Sequence, residues 1–156
     1  MAMLESLVAM LILTAGVLSL LWVHQRALEM QRQQIYRDQA MHVADNLQQR
    51  MLINAAHASG YVRAWGAQSE PPVFDCETSA CDRAQLAVWD MQQLDTALKH
   101  LPQGDISIAP LNTGADWWVI TVAWRDTEET FRTNATSGSP ACPGDKSCWR
   151  LVFSLA

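Results

Sequence analysis

Proline is missing from this chain until Pro71, and no Lys, Arg or His occurs before His24. The first absence removes the commonest cause of a sharp helix kink from the whole of that stretch. The second departs from the layout of a cleavable secretory signal, in which a basic segment leads the apolar one, and no small-residue cleavage signal clearly closes the run. Catalytic patterns are lacking as well. His24, His42, His57 and His100 are scattered over separate segments, with no H-E-x-x-H spacing and no nucleophile beside any of them. Each reads as a surface or interface residue, which leaves an anchored enzyme without a constellation to carry its chemistry.

The opening stretch does hold an almost unbroken apolar run with one charge in it. Residues 1–23 contain Leu7, Val8, Met10, Leu11, Ile12, Leu13, Val17, Leu18, Leu20 and Leu21, so no polar face is left for solvent. Twenty-three helical residues rise about 35 Å, against a hydrocarbon core of roughly 30 Å. A buried core helix is the rival reading, and both the length and the all-round apolarity weigh against it. Residues 1–23 are therefore expected to span a membrane, with Trp22 at the end of the span as an interfacial anchor. The single charge is Glu5. A carboxylate at the centre of a bilayer costs on the order of 2.5–3.5 kcal/mol, so an acid inside a span is a functional hypothesis that needs a named counter-ion. An α-amino group is the nearest candidate.

Two features disagree about which side the rest of the chain occupies. His24, Arg26, Arg32 and Arg37 follow the span, which on the positive-inside rule puts the body in the cytoplasm. The cysteines argue the other way. Cys76 with Cys81, and Cys142 with Cys148, form two short-range pairs in polar, turn-rich loops, which read most simply as local disulfides of an oxidising compartment. Four cysteines allow three pairings, and a zinc site is the competing use of the same residues, although ligand pairs in zinc knuckles usually sit closer together. Both topological facts fit if a basic cytoplasmic leader once preceded Met1, which is then expected to be a processed terminus.

Past the span, residues 24–38 are rich in Gln and Arg with only Leu28, Met30 and Ile35 strongly apolar, the pattern of a neck rather than of a packed helix. Tyr36, Ala40, Val43, Ala44, Leu47 and Met51 then recur at helical spacing, so residues 24–54 are expected to continue the helix and lay one face on a core. A free coiled coil is disfavoured because the Gln-rich neck does not sustain apolar heptads. Gly60, Gly66, Pro71 and Pro72 mark residues 54–75 as a loop. Asp82 with Gln85 resembles a capping box, and Ala84, Ala87, Met91, Leu94, Leu98 and Leu101 form the stripe of a second helix that stops at Pro102 and Gly104. The period then changes to two. Ile106 and Ile108 flank Ser107; Trp118, Ile120, Val122 and Trp124 share one side of a strand; Trp149, Leu151, Phe153 and Leu155 share one side of another. Residues 112–115 are expected to turn between the first two strands, and residues 128–132 to add a short edge strand. Residues 55–156 thus form one α+β head built on an antiparallel sheet.

Seven tryptophans invite a reading as a ligand-stacking surface, but strand alternation assigns Trp118, Trp124 and Trp149 to a packed face. Trp65, Trp89 and Trp117, together with Trp22, are left as candidate contacts for a neighbouring subunit. Asn134, Ala135 and Thr136 match a glycosylation acceptor pattern. Net charge is confined to the head. Beyond residue 54 there are seven basic and twelve acidic side chains, which accounts for the whole net charge of −5. Nucleic acid is accordingly not an expected partner.

Met1, Ala2, Met3, Leu4, Glu5, Ser6, Leu7, Val8, Ala9 and Met10, taken together, resemble the mature start of a type IV pilin or pseudopilin. Residues 44–51 and the block from Cys76 through Leu94 resemble minor pilins of the PilV-like, tip-complex subclass. The resemblance implies a pilin-like α+β fold, cleavage by a prepilin peptidase, N-methylation of Met1, and use of Glu5 in subunit assembly against the terminal amine of a neighbour. It implies other minor pilins and the major pilin as partners, with a large tip adhesin as a further candidate. It implies an inner-membrane location with a periplasmic head before assembly and an extracellular pilus tip afterwards. No enzymatic activity, cofactor or metal is implied. Major pilins commonly carry a proline near the position of Trp22, so a tip or initiating place suits this chain better than a shaft. A type II secretion minor pseudopilin and a membrane-anchored ligand-binding or adhesive module are the alternatives.

Overall fold

A computed structural model describes residues 2–69, 74–111, 117–125 and 141–155. Helix α1 (Ala2–Ile53) runs unbroken, as the missing proline allows. The chain divides within it into two compact units, Met1–Ile35 and Tyr36–Ala156.

The first unit is helix alone. Its apolar side chains are exposed along the whole segment, and so are Leu28, Met30 and Ile35 of the neck, as their sparse spacing predicts. The few hydroxyls in the apolar stretch do not compete with solvent. Ser6, Thr14 and Ser19 each donate to a backbone carbonyl of the preceding turn, of Met3, Leu11 and Ala15 respectively, at 2.8–3.0 Å.

The second unit is the head. Tyr36, Ala40, Val43, Ala44, Leu47 and Met51 of α1 join its hydrophobic core, as their spacing predicts. Residues 54–75 do not form a plain loop, because Ala55–Tyr61 coil into 3-10 turns. Gly60 lies within those turns and Gly66 follows them, Pro71 and Pro72 lie outside the described residues, and Asn54 supplies a tertiary tie that no local signal announces. Its amide donates to Arg83 O at 2.8 Å and to Tyr61 Oη at 3.3 Å. Helix α2 (Arg83–Leu98) starts at the expected capping box, with Asp82 accepting from the Gln85 N–H and Gln85 accepting from the Asp82 N–H. It buries Ala87, Met91, Leu94 and Leu98, whereas Ala84, expected in the same stripe, is exposed on the first turn.

Among the described residues three antiparallel strands follow in the order β1-β2-β3: β1 (Asp105–Pro110), β2 (Trp117–Trp124) and β3 (Ser147–Ser154). Ile108 stands opposite Ile120, which stands opposite Leu151, so one face gathers Ile106, Ile108, Trp118, Ile120, Val122, Trp124, Trp149, Leu151 and Phe153 against the helices. That is the alternation read from the sequence. The outer edge of β1 is closed by local chemistry. Arg63 exchanges both backbone hydrogen bonds with Ile108, and the Asp105 carboxylate accepts from the N–H of Ile106 at 2.8 Å and of Gly66 at 3.1 and 3.2 Å. A closed edge cannot template pairing with another chain. The expected turn at residues 112–115, the edge strand at 128–132 and the acceptor pattern at 134–136 lie outside the described residues. The long helix, the small antiparallel sheet and the second helix together make an α+β arrangement consistent with a pilin-like fold.

Candidate functional site: an apolar helix and a clamped head

Glu5 lies in the first turn of α1 and is exposed among Met3, Leu4, Leu7 and Val8, which are themselves 50–84 % exposed. No hydrogen bond or ion pair satisfies its carboxylate among the described residues. The helix is long and apolar enough to cross a membrane, and none of its most apolar window is buried within the molecule. A surface of that composition needs lipid or other apolar helices around it, and a lone carboxylate there needs a cation. Met1, whose amine was the expected counter-ion donor, lies outside the described residues. Trp22 closes the apolar stretch at 69 % exposure, as an interfacial anchor would.

In the head, the four cysteines are consumed in two disulfides, Cys76–Cys81 and Cys142–Cys148, so no thiolate is left to bind zinc. The first closes a short exposed turn at the start of α2. Asp75 organises that turn, its carboxylate accepting from the Glu77 N–H at 2.9 Å and the Thr78 hydroxyl at 3.1 Å. The second ties the segment before β3 onto the strand, since Cys148 belongs to β3.

Sequence reasoning missed a buried polar network beneath α2. Asp90 is 4 % exposed and receives the Tyr61 hydroxyl at 2.6 Å and the Arg50 guanidinium. Arg50 is also held by Asn46, whose amide oxygen accepts from Nε at 2.8 Å. Burial first, and then the hydrogen bond to Asp90, push the Tyr61 phenol far above the ordinary tyrosine range. The network pins α1, the 3-10 turns and α2 together. One signal was available, because Asp90 falls between Ala87 and Leu94 on the apolar stripe, where an acid has to have a partner.

A second set of clamps surrounds a cleft of about 780 Å³ at the C-terminal end of α2, lined in part by Arg63, Asp95, Lys99, Asp105 and Lys146. The Arg63 side chain is 7 % exposed and pairs with Asp95 at 2.6 Å. Lys146 lies 3.7 Å from Asp105 and donates to Gln103 O at 3.0 Å. Burial pushes the Asp95 carboxyl up, but hydrogen bonds from Ser69 and Arg63 and the Arg63 charge outweigh it and hold the group below the usual carboxylate range.

The candidate interface tryptophans lie on different elements. Trp65 is half-buried in the turn after Arg63, with its indole N–H donating to Ala141 O at 3.1 Å; Trp89 is half-buried on α2; Trp117 is 41 % exposed at the start of β2. Trp118, Trp124 and Trp149 belong to the packed face of the sheet. Arg37 stacks over the Trp149 ring at 5.2 Å, a contact that fastens α1 to β3.

No family model matches this chain, and no curated protein or solved structure gives a significant match to it.

Proposed function

We propose that this protein is a minor pilin: a non-enzymatic subunit held in the inner membrane by residues 1–23 until it is drawn into the priming complex at the tip of a type IV pilus. The observation that carries this reading is Glu5, the one charge in the exposed apolar run of residues 1–23, whose carboxylate has no partner among the described residues. In lipid such a group is costly. Beside the terminal amine of a second subunit it becomes half of an ion pair in a low-dielectric setting, so association is favoured where solitude is penalised. The surrounding Leu, Val and Met side chains then exchange acyl chains for packing against neighbouring helices. Two disulfides in the head agree with its placement in an oxidising compartment.

The test is Glu5→Ala in the full chain. Loss of the charge should leave membrane insertion intact, measured by resistance to alkaline carbonate extraction, and should deplete the protein from sheared fibres. Normal recovery of the variant in fibres would remove the ion-pair mechanism. Absence of even the unaltered protein from fibres would remove the pilus reading and favour a pseudopilus or an anchored binding head. Mass spectrometry of the native N-terminus adds an independent check, since a methylated Met1 is expected.

A further inference from the structure

The head carries two features of opposite charge at opposite ends of α2. At the N-terminal end stands the disulfide-closed turn, residues 75–82, whose Glu77, Thr78, Ser79 and Ala80 are all exposed. Its shape is fixed from within. Besides the Cys76–Cys81 bond, Asp75 O accepts from both the hydroxyl and the N–H of Ser79, while the Glu77 side chain is left pointing to no partner among the described residues. At the C-terminal end lies the cleft with Arg63, Lys99 and Lys146 on its walls. Among the described residues, the three cations Arg63, Lys99 and Lys146 face this cleft with the two acids Asp95 and Asp105, a positive excess of one. Arg63 and Lys146 are committed to Asp95 and Asp105. The Lys99 residue is exposed and its ammonium has neither hydrogen bond nor ion pair among the described residues. On the walls, Ser69, Gly66 and Lys146 are each held by hydrogen bonds, to Asp95, Asp105 and Gln103 respectively.

We infer that the acidic disulfide turn of one copy docks into the cationic cleft of a second copy, with Glu77 meeting Lys99. Sixteen residues of α2 separate the two features by about 24 Å, too far for one molecule to satisfy itself. A knob and a socket on different surfaces make a heterologous contact, which repeats head to tail instead of closing on a twofold axis. Both partners are preformed, the turn by its disulfide and the cleft by its ion pairs, so little ordering entropy opposes the contact. The inference rests on the minor-pilin reading only in giving the contact a place, between heads whose helices are already gathered.

Charge reversal in the full-length protein in detergent micelles tests it. Glu77→Lys and Lys99→Glu should each weaken self-association about tenfold or more, read by sedimentation equilibrium, because each places like charges together. The double variant should recover the affinity of the unaltered chain, since a lysine knob then meets a glutamate socket. Both sites are exposed, so folding is not at stake, and unchanged thermal unfolding checks this. A carbodiimide cross-link joining Lys99 of isotopically heavy chains to Glu77 of light ones should also form. A monomeric unaltered chain, single variants that associate normally, or a double variant no better than the singles would each overturn the contact. If these fail while the protein is still found in sheared fibres, only this contact is lost; if they succeed and the protein is never in fibres, the pilus reading is lost instead.

Discussion

Asp90 shows how one side chain can organise a head that is otherwise held by apolar packing. Its carboxylate serves Arg50 and Tyr61 from two other elements while almost wholly removed from water. Removing it as Asp90→Ala strands a buried phenol and a cation, a change that usually costs about 3–5 kcal/mol. Arg50 is 36 % exposed and can turn toward solvent, so the low end, about 3 kcal/mol, is expected in urea unfolding. The Tyr61 phenol has a raised pKa in the folded state, so its stabilising effect is complete below the unfolded value near 10 and is lost as pH rises above it. Alkaline unfolding should therefore begin above about pH 10 and be blunted in Tyr61→Phe. Asp95 works with the opposite sign. Its folded pKa lies below the unfolded value of about 3.9, so its contribution is present above that pH and disappears as pH falls through the folded value. The stability gap between the unaltered chain and Asp95→Asn should narrow from about pH 6 to pH 3; a constant gap would mean that the Arg63 and Ser69 contacts do not act through the charge.

At the scale of elements, legibility followed how local each signal was. The capping box at Asp82 and Gln85 involves residues three apart, and the structure contains it as read. Asp82→Ala should cost about 1 kcal/mol, measured as a lower urea midpoint with an unchanged slope. Period-two alternation in β2 and β3 also needs nothing beyond the strand itself, and it named the packed face correctly. The 3-10 turns of Ala55–Tyr61 were not legible, because they are held from outside by Asn54, whose partners include Arg83 on the next helix. Arg63 was missed for the same reason. Nothing near it in sequence shows that its backbone pairs with Ile108 or that its guanidinium meets Asp95. The disulfides lie between these cases, since proximity suggested the pairs and only the fold separates their uses. Cys142 and Cys148 tie a preceding segment onto β3, and that segment is also fastened by Trp65 and Lys146. Replacing both by serine should cost about 2 kcal/mol and expose the Trp65 indole, seen as a red shift in its fluorescence.

For the molecule as a whole, the division at Ile35 and Tyr36 separates two physical problems that the sequence treats in one continuous helix. Among the described residues, every member of the hydrophobic core, from Tyr36 to Leu155, belongs to the second unit, while the first buries none of its apolar side chains. The first unit was legible almost entirely, because a membrane-sized apolar run and one acid are properties of composition. The second was legible in its periodic parts and opaque in its polar clamps, which join residues far apart in the chain. Stability and membrane retention should therefore be separable. A fragment of residues 36–156, made in an oxidising compartment, is expected to form both disulfides and to unfold cooperatively, with a free energy within about 1 kcal/mol of the full chain in detergent. The small loss would come from fraying at the new helix start, where Tyr36 and the Arg37 contact with Trp149 lie closest to the cut. The same fragment should partition wholly into the aqueous phase, because it lacks the exposed run that ends at Val23. A fragment that fails to fold would show that residues 1–35 complete the core of the head, and a fragment that still sediments with membranes would show that the head itself binds lipid.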